Sequence, residues 1–259
     1  MKNKDFTEER QQKIIEHINQ KGRVKVEELS GFFNVTEMTI RRDLFALEKQ
    51  GLLYRAHGGA IKREKRSIWQ MSTLQTRLCQ NEEEKERIAL CVSQMIQDGE
   101  SIMIDGGSTT TKVAQRLTGK RNLLIVTNAL TIGELLLELE DSKVILTGGE
   151  LFKETNSLIG NATEAAISNY RTDKAIIGVS GLVPGEGFFS AIPQEAEIKN
   201  RMLQNAQKKI VVADSSKIGT RAFYFFCDFT KVDTLVTGRN IKKTDLTLLK
   251  KTGLEIIAV

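Results

Sequence analysis

The chain has 259 residues, 40% of them hydrophobic and 27% charged, with a formal charge of +5. This is ordinary globular composition. No stretch reaches the ~18 uncharged apolar residues of a membrane span, and the opening MKNKDFTEERQQK lacks the apolar core of a signal peptide, so a membrane partner is excluded and the expected location is cytoplasmic. Three cysteines, Cys79, Cys91 and Cys227, show no metal spacing, and His17 and His57 are the only histidines; no metal or cofactor is expected. The charge is uneven. Residues 1–66 hold 15 Lys/Arg against 10 Asp/Glu, whereas residues 67–259 hold 23 of each. A basic front on a neutral body points to a polyanionic partner for the front alone, although a solvated surface is the commoner explanation of charge until motifs are considered.

In chain order, Thr7 is placed to cap a helix over residues 8–20, with Ile14, Ile15 and Ile18 as its apolar stripe and Gly22 at its end. A second helix is expected over residues 26–33, with Leu29, Phe32 and Phe33 inward. Asn34 and Val35 make a turn, Thr36 caps a third helix over 37–50, and Gly51 stops it. Residues 52–57 and 60–62 read as two extended pieces around Gly58-Gly59, a hairpin tip. The stretch 62–84 is charged and reads as a linker running into a helix. Beyond it helices are expected at 83–97, 109–118, 129–139, 161–169, 194–206 and 243–252. Strands are expected at 101–104, 122–126, 143–146, 174–179, 209–213 and 233–236. This alternation predicts a layered, largely parallel α/β domain.

The front spacing is that of a helix-turn-helix with a wing. At ~100° per residue, Ile40, Leu44 and Leu47 share the buried face of the third helix, and Met38, Arg42, Arg41 and Phe45 point away from it. Arginine there can donate two hydrogen bonds to a guanine edge in the major groove of duplex DNA. Thr36 and Thr39 lie where phosphates are contacted, and Arg55 and His57 of the hairpin can follow the backbone or minor groove. A pair of arginines on a helix is more often a solvated face, and the capped turn with the preceding helix is what favours recognition.

The stretch VTEMTIRRDLFALEKQGLLYRAHGGA (35–60) resembles the signature of the DeoR family of bacterial transcription regulators. The resemblance continues through KERIA (85–89), DGGSTT (105–110), VTNAL (126–130), LTGG (146–149), SLIG (157–160), EAEIK (195–199) and ADSSKIG (213–219). It implies a winged helix-turn-helix over residues 6–61 (its core at 23–42), a linker over 62–74, and a sugar-phosphate-sensing and oligomerising domain over 75–259. That domain is similar in fold to ribose-5-phosphate isomerase.

The rear motifs carry their own chemistry. Asp105, Gly106, Gly107, Ser108, Thr109 and Thr110 lie between a predicted strand and helix, where glycines let amides approach an anion and the helix start is positive. A plain helix cap explains such a turn equally well. Neither GxGxxG nor GxxxxGK[ST] is present, so dinucleotide and P-loop readings fall. Thr127, Asn128, Gly148, Gly149 and residues 178–181, including Ser180, also follow predicted strands, and ligands in open α/β sheets bind beyond the carboxyl ends of strands. Lys217 is the expected cation for a phosphate. Asp105 either binds a sugar hydroxyl or braces the glycine turn, and Glu195 with Lys199 reads as an i,i+4 pair on one helix.

Isomerases of the similar fold carry acidic residues where this chain has Ser180, and the acidic residue that the family usually has after VDTLVT is replaced by Gly238. Proton transfer between carbons needs such a carboxylate. The expectation is therefore a non-catalytic repressor of a carbohydrate operon, binding operator DNA as a dimer or tetramer and relieved by a phosphorylated sugar. A sugar-phosphate isomerase with a fused DNA-binding module and an interaction module without DNA affinity are the alternatives.

Overall fold

The computed structural model describes residues 2–49, 52–56, 58–62 and 73–259. The chain divides into two compact units, residues 1–66 with 75–80, and residues 67–74 with 81–259. Gly51, His57 and residues 63–72, the bulk of the expected linker, lie outside the described residues.

The first unit runs α1 (Lys2–Lys21), β1 (Arg23–Lys25), α2 (Val26–Phe33), α3 (Glu37–Lys49), β2 (Leu53–Ala56) and β3 (Gly59–Lys62). Helix α1 begins at Lys2, so Thr7 lies inside it rather than capping it. The helix ends where Gly22 takes φ +75 and its amide closes on Ile18 O at 2.8 Å. Ile14, Ile18, Leu29, Ile40, Leu44, Leu47 and Leu53 form the core, with Val24 and Val26. Phe32, expected inward, is 62% exposed; its ring rests on His17 at 4.5 Å and on Phe33 at 4.9 Å. The hairpin β2–β3 is joined by β1, giving the order β1-β3-β2. Strand β1 passes so close that a Cβ on Gly59 would stand 2.0 Å from Val24 O.

Helix α4 (Leu74–Leu78) falls in the first unit except for Leu74, and the second unit contains α5 (Glu82–Gln94), β4 (Ser101–Ile104), α6 (Ser108–Gln115), β5 (Leu124–Thr127), α7 (Leu130–Leu135), β6 (Lys143–Leu146), β7 (Glu150–Phe152), β8 (Ser157–Ile159), α8 (Asn161–Ser168), β9 (Thr172–Gly178), β10 (Gly181–Val183), β11 (Gly187–Ser190), α9 (Pro193–Gln204), β12 (Ala206–Ala213), β13 (Tyr224–Cys227), β14 (Thr234–Thr237), α10 (Lys243–Lys250) and β15 (Glu255–Ala258). Seven strands form one parallel sheet in the order β15-β14-β12-β9-β4-β5-β6. Its inner strands are largely buried, as parallel strands are, while the edge strands β6 and β15 are partly exposed. Ile102, Ile104, Ile125 and Ile176 pack under α5, α6 and α7. Met103, Val126, Ile177 and Val211 pack with residues of α8, α9 and α10. A small antiparallel sheet, β10-β11-β13, adds Leu182, Phe188 and Phe226 to that second cluster.

The sheet order fixes where a ligand site can form. From β4 the chain goes one way to β5 and β6, and later returns on the other side of β4 through β9, β12 and β14. The switch point is the crevice between β4 and β9, the place where open α/β sheets bind ligands.

Candidate DNA interface and effector site

In the first unit, Thr36 accepts the Thr39 amide at 3.3 Å, and the two hydroxyls lie 3.0 Å apart. The start of α3 is thus capped by a side chain that remains exposed. Met38 is 60% exposed, Arg41 and Arg42 are exposed and Thr39 is half-buried, opposite Ile40, Leu44 and Leu47. Arg41 makes an exposed pair with Glu37 at 3.2 Å, an interaction of about 0–1 kcal/mol that a phosphate can replace. Arg55 is more committed: its amide donates to Glu48 Oε1 at 3.0 Å and its guanidinium lies 5.7 Å from the centre of the Phe45 ring. The rotation of α3 is set by a residue that sequence reasoning passed over. Asp43, 3% exposed, accepts Arg10 Nε at 2.6 Å and Gln11 Nε2 at 3.1 Å. Its partners lie more than thirty positions away, beyond any helical period.

In the second unit, the turns after β14, β12, β9, β4, β5 and β6 all lie along one edge, because their strands are parallel and adjacent. Asp105, Ser108, Thr109, Thr110 and Asn128 are all under a tenth exposed, and Gly106 and Gly107 are buried with them. Space is tight. A Cβ on Gly106 would meet Ser157 Cβ at 2.9 Å. Thr110 and Thr111 turn their hydroxyls back to Gly107 O at 2.9 and 2.7 Å, which leaves Ser108 and Thr109 as the hydroxyls of the turn not used this way. Gly107 begins α6 with no side-chain cap, so the first amides of that helix have no side-chain acceptor from the cap position.

Asp105 braces the turn. Its Oδ1 accepts the Gly178 amide at 2.8 Å across the switch point, and its Oδ2 is paired with Lys199 Nζ, both side chains being buried. Lys199 is therefore not the i,i+4 partner of Glu195. A tertiary carboxylate in a drier place outcompetes the neighbour on the helix. This pairing matters for chemistry, because a bare aspartate beside an anion site would repel the anion, whereas a neutralised one does not.

The remaining expected residues divide into those used by the fold and those still open. Thr127 Oγ1 donates to Ile104 O at 2.7 Å and accepts the Ala129 amide at 3.1 Å. Asn128 Nδ2 donates to Leu158 O at 2.8 Å, while its Oδ1 is buried without a partner among the described residues. Gly148 and Gly149 are exposed; Gly149 has φ +139, and a Cβ there would stand 2.1 Å from Thr163 Oγ1. Ser180 Oγ accepts the Ala191 amide at 3.1 Å. Lys217 closes a one-turn 3-10 helix, Ser215–Lys217, beside Asp214. Burial opposes the Asp214 charge, but Lys217 and Lys85, with hydrogen bonds from Ser216 and Asn81, hold its carboxyl below the ordinary range.

At Gly238 a Cβ would lie 1.5 Å from Glu84 Oε1. The space at the end of β14 is filled by a carboxylate from α5, whose oxygens accept the Ser215 amide at 2.8 Å and the Ser215 hydroxyl at 3.1 Å. Glu84 and Glu195 were not singled out as site residues by sequence. Among the described residues no group of three or more His, Cys, Asp or Glu is placed to hold a metal ion, and no helix is long and apolar enough to cross a membrane.

The DeoR-like helix-turn-helix domain matches residues 10–66, and the DeoR C terminal sensor domain matches residues 80–239. The glycerol-3-phosphate regulon repressor of Escherichia coli (strain K12) is 37% identical over 226 residues, covering 86% of this chain and 88% of that protein. The HTH-type transcriptional repressor GlcR of Bacillus subtilis (strain 168) is 31% identical over 252 residues, covering 97% and 96%. A solved ribose 5-phosphate isomerase A from Methanocaldococcus jannaschii is similar with a TM-score of 0.37 and 17% identity, covering 53% of this chain and 55% of that one.

Proposed function

The chain belongs to the DeoR family, and from that premise we propose how its parts divide the work of a DNA-binding transcription regulator that is not an enzyme. It represses a carbohydrate uptake or catabolic operon, a reading supported by similarity to a transcriptional repressor and a glycerol-3-phosphate regulon repressor. Residues 6–61 bind duplex operator DNA. Met38, Arg41 and Arg42 of α3 face the major groove, Thr36 and Thr39 hold phosphates, and Arg55 and His57 follow the backbone beside it. Residues 62–74 link this part to residues 75–259, which bind a phosphorylated sugar and hold a homo-oligomer together. Two copies would then present recognition helices one DNA turn, or a multiple of it, apart.

The observation that carries the sensor reading is the uncapped start of α6 at the switch point, with buried Ser108 and Thr109 and an Asp105 already neutralised by Lys199. Glycines and bare amides there suit a phosphate. The sugar would extend along the strand ends past Thr127, Asn128, Gly148, Gly149 and Ser180, with Lys217 on the far side. Ser180 is engaged by the Ala191 amide and is no acid or base, which disfavours the isomerase reading. Ligand relieves repression only if it binds better to a form with lower DNA affinity.

The test is titration of DNA binding, on the region upstream of its own gene, with a panel of sugar phosphates. One of them is expected to weaken binding severalfold. Affinity indifferent to the whole panel, or measurable turnover of any of them, would refute the reading.

A further inference from the structure

Resting on the sugar-phosphate reading of this sheet edge, we propose that Glu195 is a specificity-determining residue, accepting a hydroxyl of the ligand so that the site selects polyhydroxylated phosphates over bare phosphate. Glu195 lies in the first turn of α9 and is 4% exposed. Its Oε2 meets the fully buried Ser190 hydroxyl at 3.4 Å, while Oε1 is buried with no hydrogen-bond partner among the described residues.

The other charged side chains along that helix are all satisfied. Glu197 accepts from Tyr224, Lys199 pairs with Asp105, and Arg201 pairs with Glu164. The lysine best spaced to neutralise Glu195 is thus turned to the glycine turn instead. Since buried polar atoms are nearly always paired, an orphaned carboxylate oxygen one helical turn from the Lys199–Asp105 contact asks for a donor from outside the chain. The start of α9 favours the negative charge while the donor is absent.

A second orphan belongs to Asn128, after the neighbouring strand β5. Leu158 O can only accept, so the Asn128 amide nitrogen faces it at 2.8 Å and Oδ1 is directed elsewhere. The neighbouring Ser157 is the residue packed against Gly106. Two buried acceptors thus belong to elements whose neighbouring residues, Lys199 and Ser157, touch a turn suited to an anion. A phosphate dianion has no proton to give them, whereas sugar hydroxyls do. A site built around such acceptors rejects analogues lacking the hydroxyl, because the buried oxygen is then left unpaired.

The experiment is calorimetric titration of the full-length protein with inorganic phosphate, glucose 6-phosphate, fructose 6-phosphate, ribose 5-phosphate and glycerol 3-phosphate, and with deoxy analogues of whichever binds. At least one polyhydroxylated phosphate is expected to bind at least about tenfold more tightly than inorganic phosphate, and one deoxy analogue to lose at least about tenfold. In Glu195→Gln the polyhydroxylated ligand loses a similar factor, inorganic phosphate stays within about twofold, and the deoxy penalty shrinks. A parallel loss of both ligands in the variant, or of neither, overturns the assignment of Glu195 alone. If that variant does not fold, the deoxy series on the unmodified protein still decides, since the absence of any deoxy penalty overturns the proposal. Unmodified protein that binds inorganic phosphate and sugar phosphates equally, or binds none of them, overturns the sugar-phosphate reading together with it.

Discussion

The two units use their chemistry-bearing side chains in opposite ways. On α3, Met38, Arg41 and Arg42 stand in solvent, and what holds the helix is a separate set of residues: the Ile40, Leu44 and Leu47 stripe and the buried Asp43 with Arg10. At the sheet edge the residues proposed to line the site also build the fold. Asp105 bridges two strands and neutralises Lys199; Thr127, Thr110 and Ser180 are spent on backbone groups. The surface proposed to read DNA can therefore change without loss of fold, while the proposed sensor edge has little such freedom.

The sharpest test of that contrast is Lys199→Met, which leaves the Asp105 carboxylate buried and unpaired. Breaking a buried pair from one side costs about 3–5 kcal/mol, so urea denaturation should show a loss of that order together with loss of ligand response. Arg42→Ala should leave the urea midpoint unchanged and weaken preference for operator over random duplex by about 1–3 kcal/mol, read as a ratio of affinities at one salt concentration. An unchanged ratio removes Arg42 as a base contact. Thr109→Ala and Lys217→Ala should blunt the response to sugar phosphate and spare DNA binding; unaltered ligand titrations in both would remove them from the site.

The smallest effect is in pH. Partial burial works against the Glu86 carboxylate, but Lys112 and Arg116 outweigh it and hold its pKa below the ordinary 4.5; Asp214 is likewise held below 3.8. Their contribution is complete above those values and is lost as pH falls below them. Lys112 is raised above 10.5 because Glu86 and Glu82 outweigh its desolvation, so its share is lost as pH rises past that value. For the partly exposed Glu86–Lys112 pair the change should be under about 1 kcal/mol, visible as a shallow slope in thermal midpoint against pH.

What was legible in the sequence followed from local pattern. The strands at Ser101–Ile104 and Lys143–Leu146 fall where expected because each is a short, largely apolar run between turns, buried in the first case and half-buried at the sheet edge in the second. Strand β1 was missed, since three residues with a basic side chain at each end carry no apolar alternation. Three-residue β7 and β8 were missed because they are too short to show a period. Thr7 misled as a cap because a charged segment can continue a helix that propensity alone would end. At the site, the residue types were visible but their partners were not. Spacing joined Glu195 to Lys199, and only the third dimension showed Lys199 at Asp105, 94 positions away.

The meeting of Gly238 and Glu84 has a consequence for inheritance. Even a methyl group at position 238 would land on the Glu84 carboxylate, which is itself the acceptor for the Ser215 turn. Substitution at 238 is therefore coupled to position 84: a larger residue there requires the Glu84 side chain to swing away or shorten, and either way the Ser215 turn loses its acceptor.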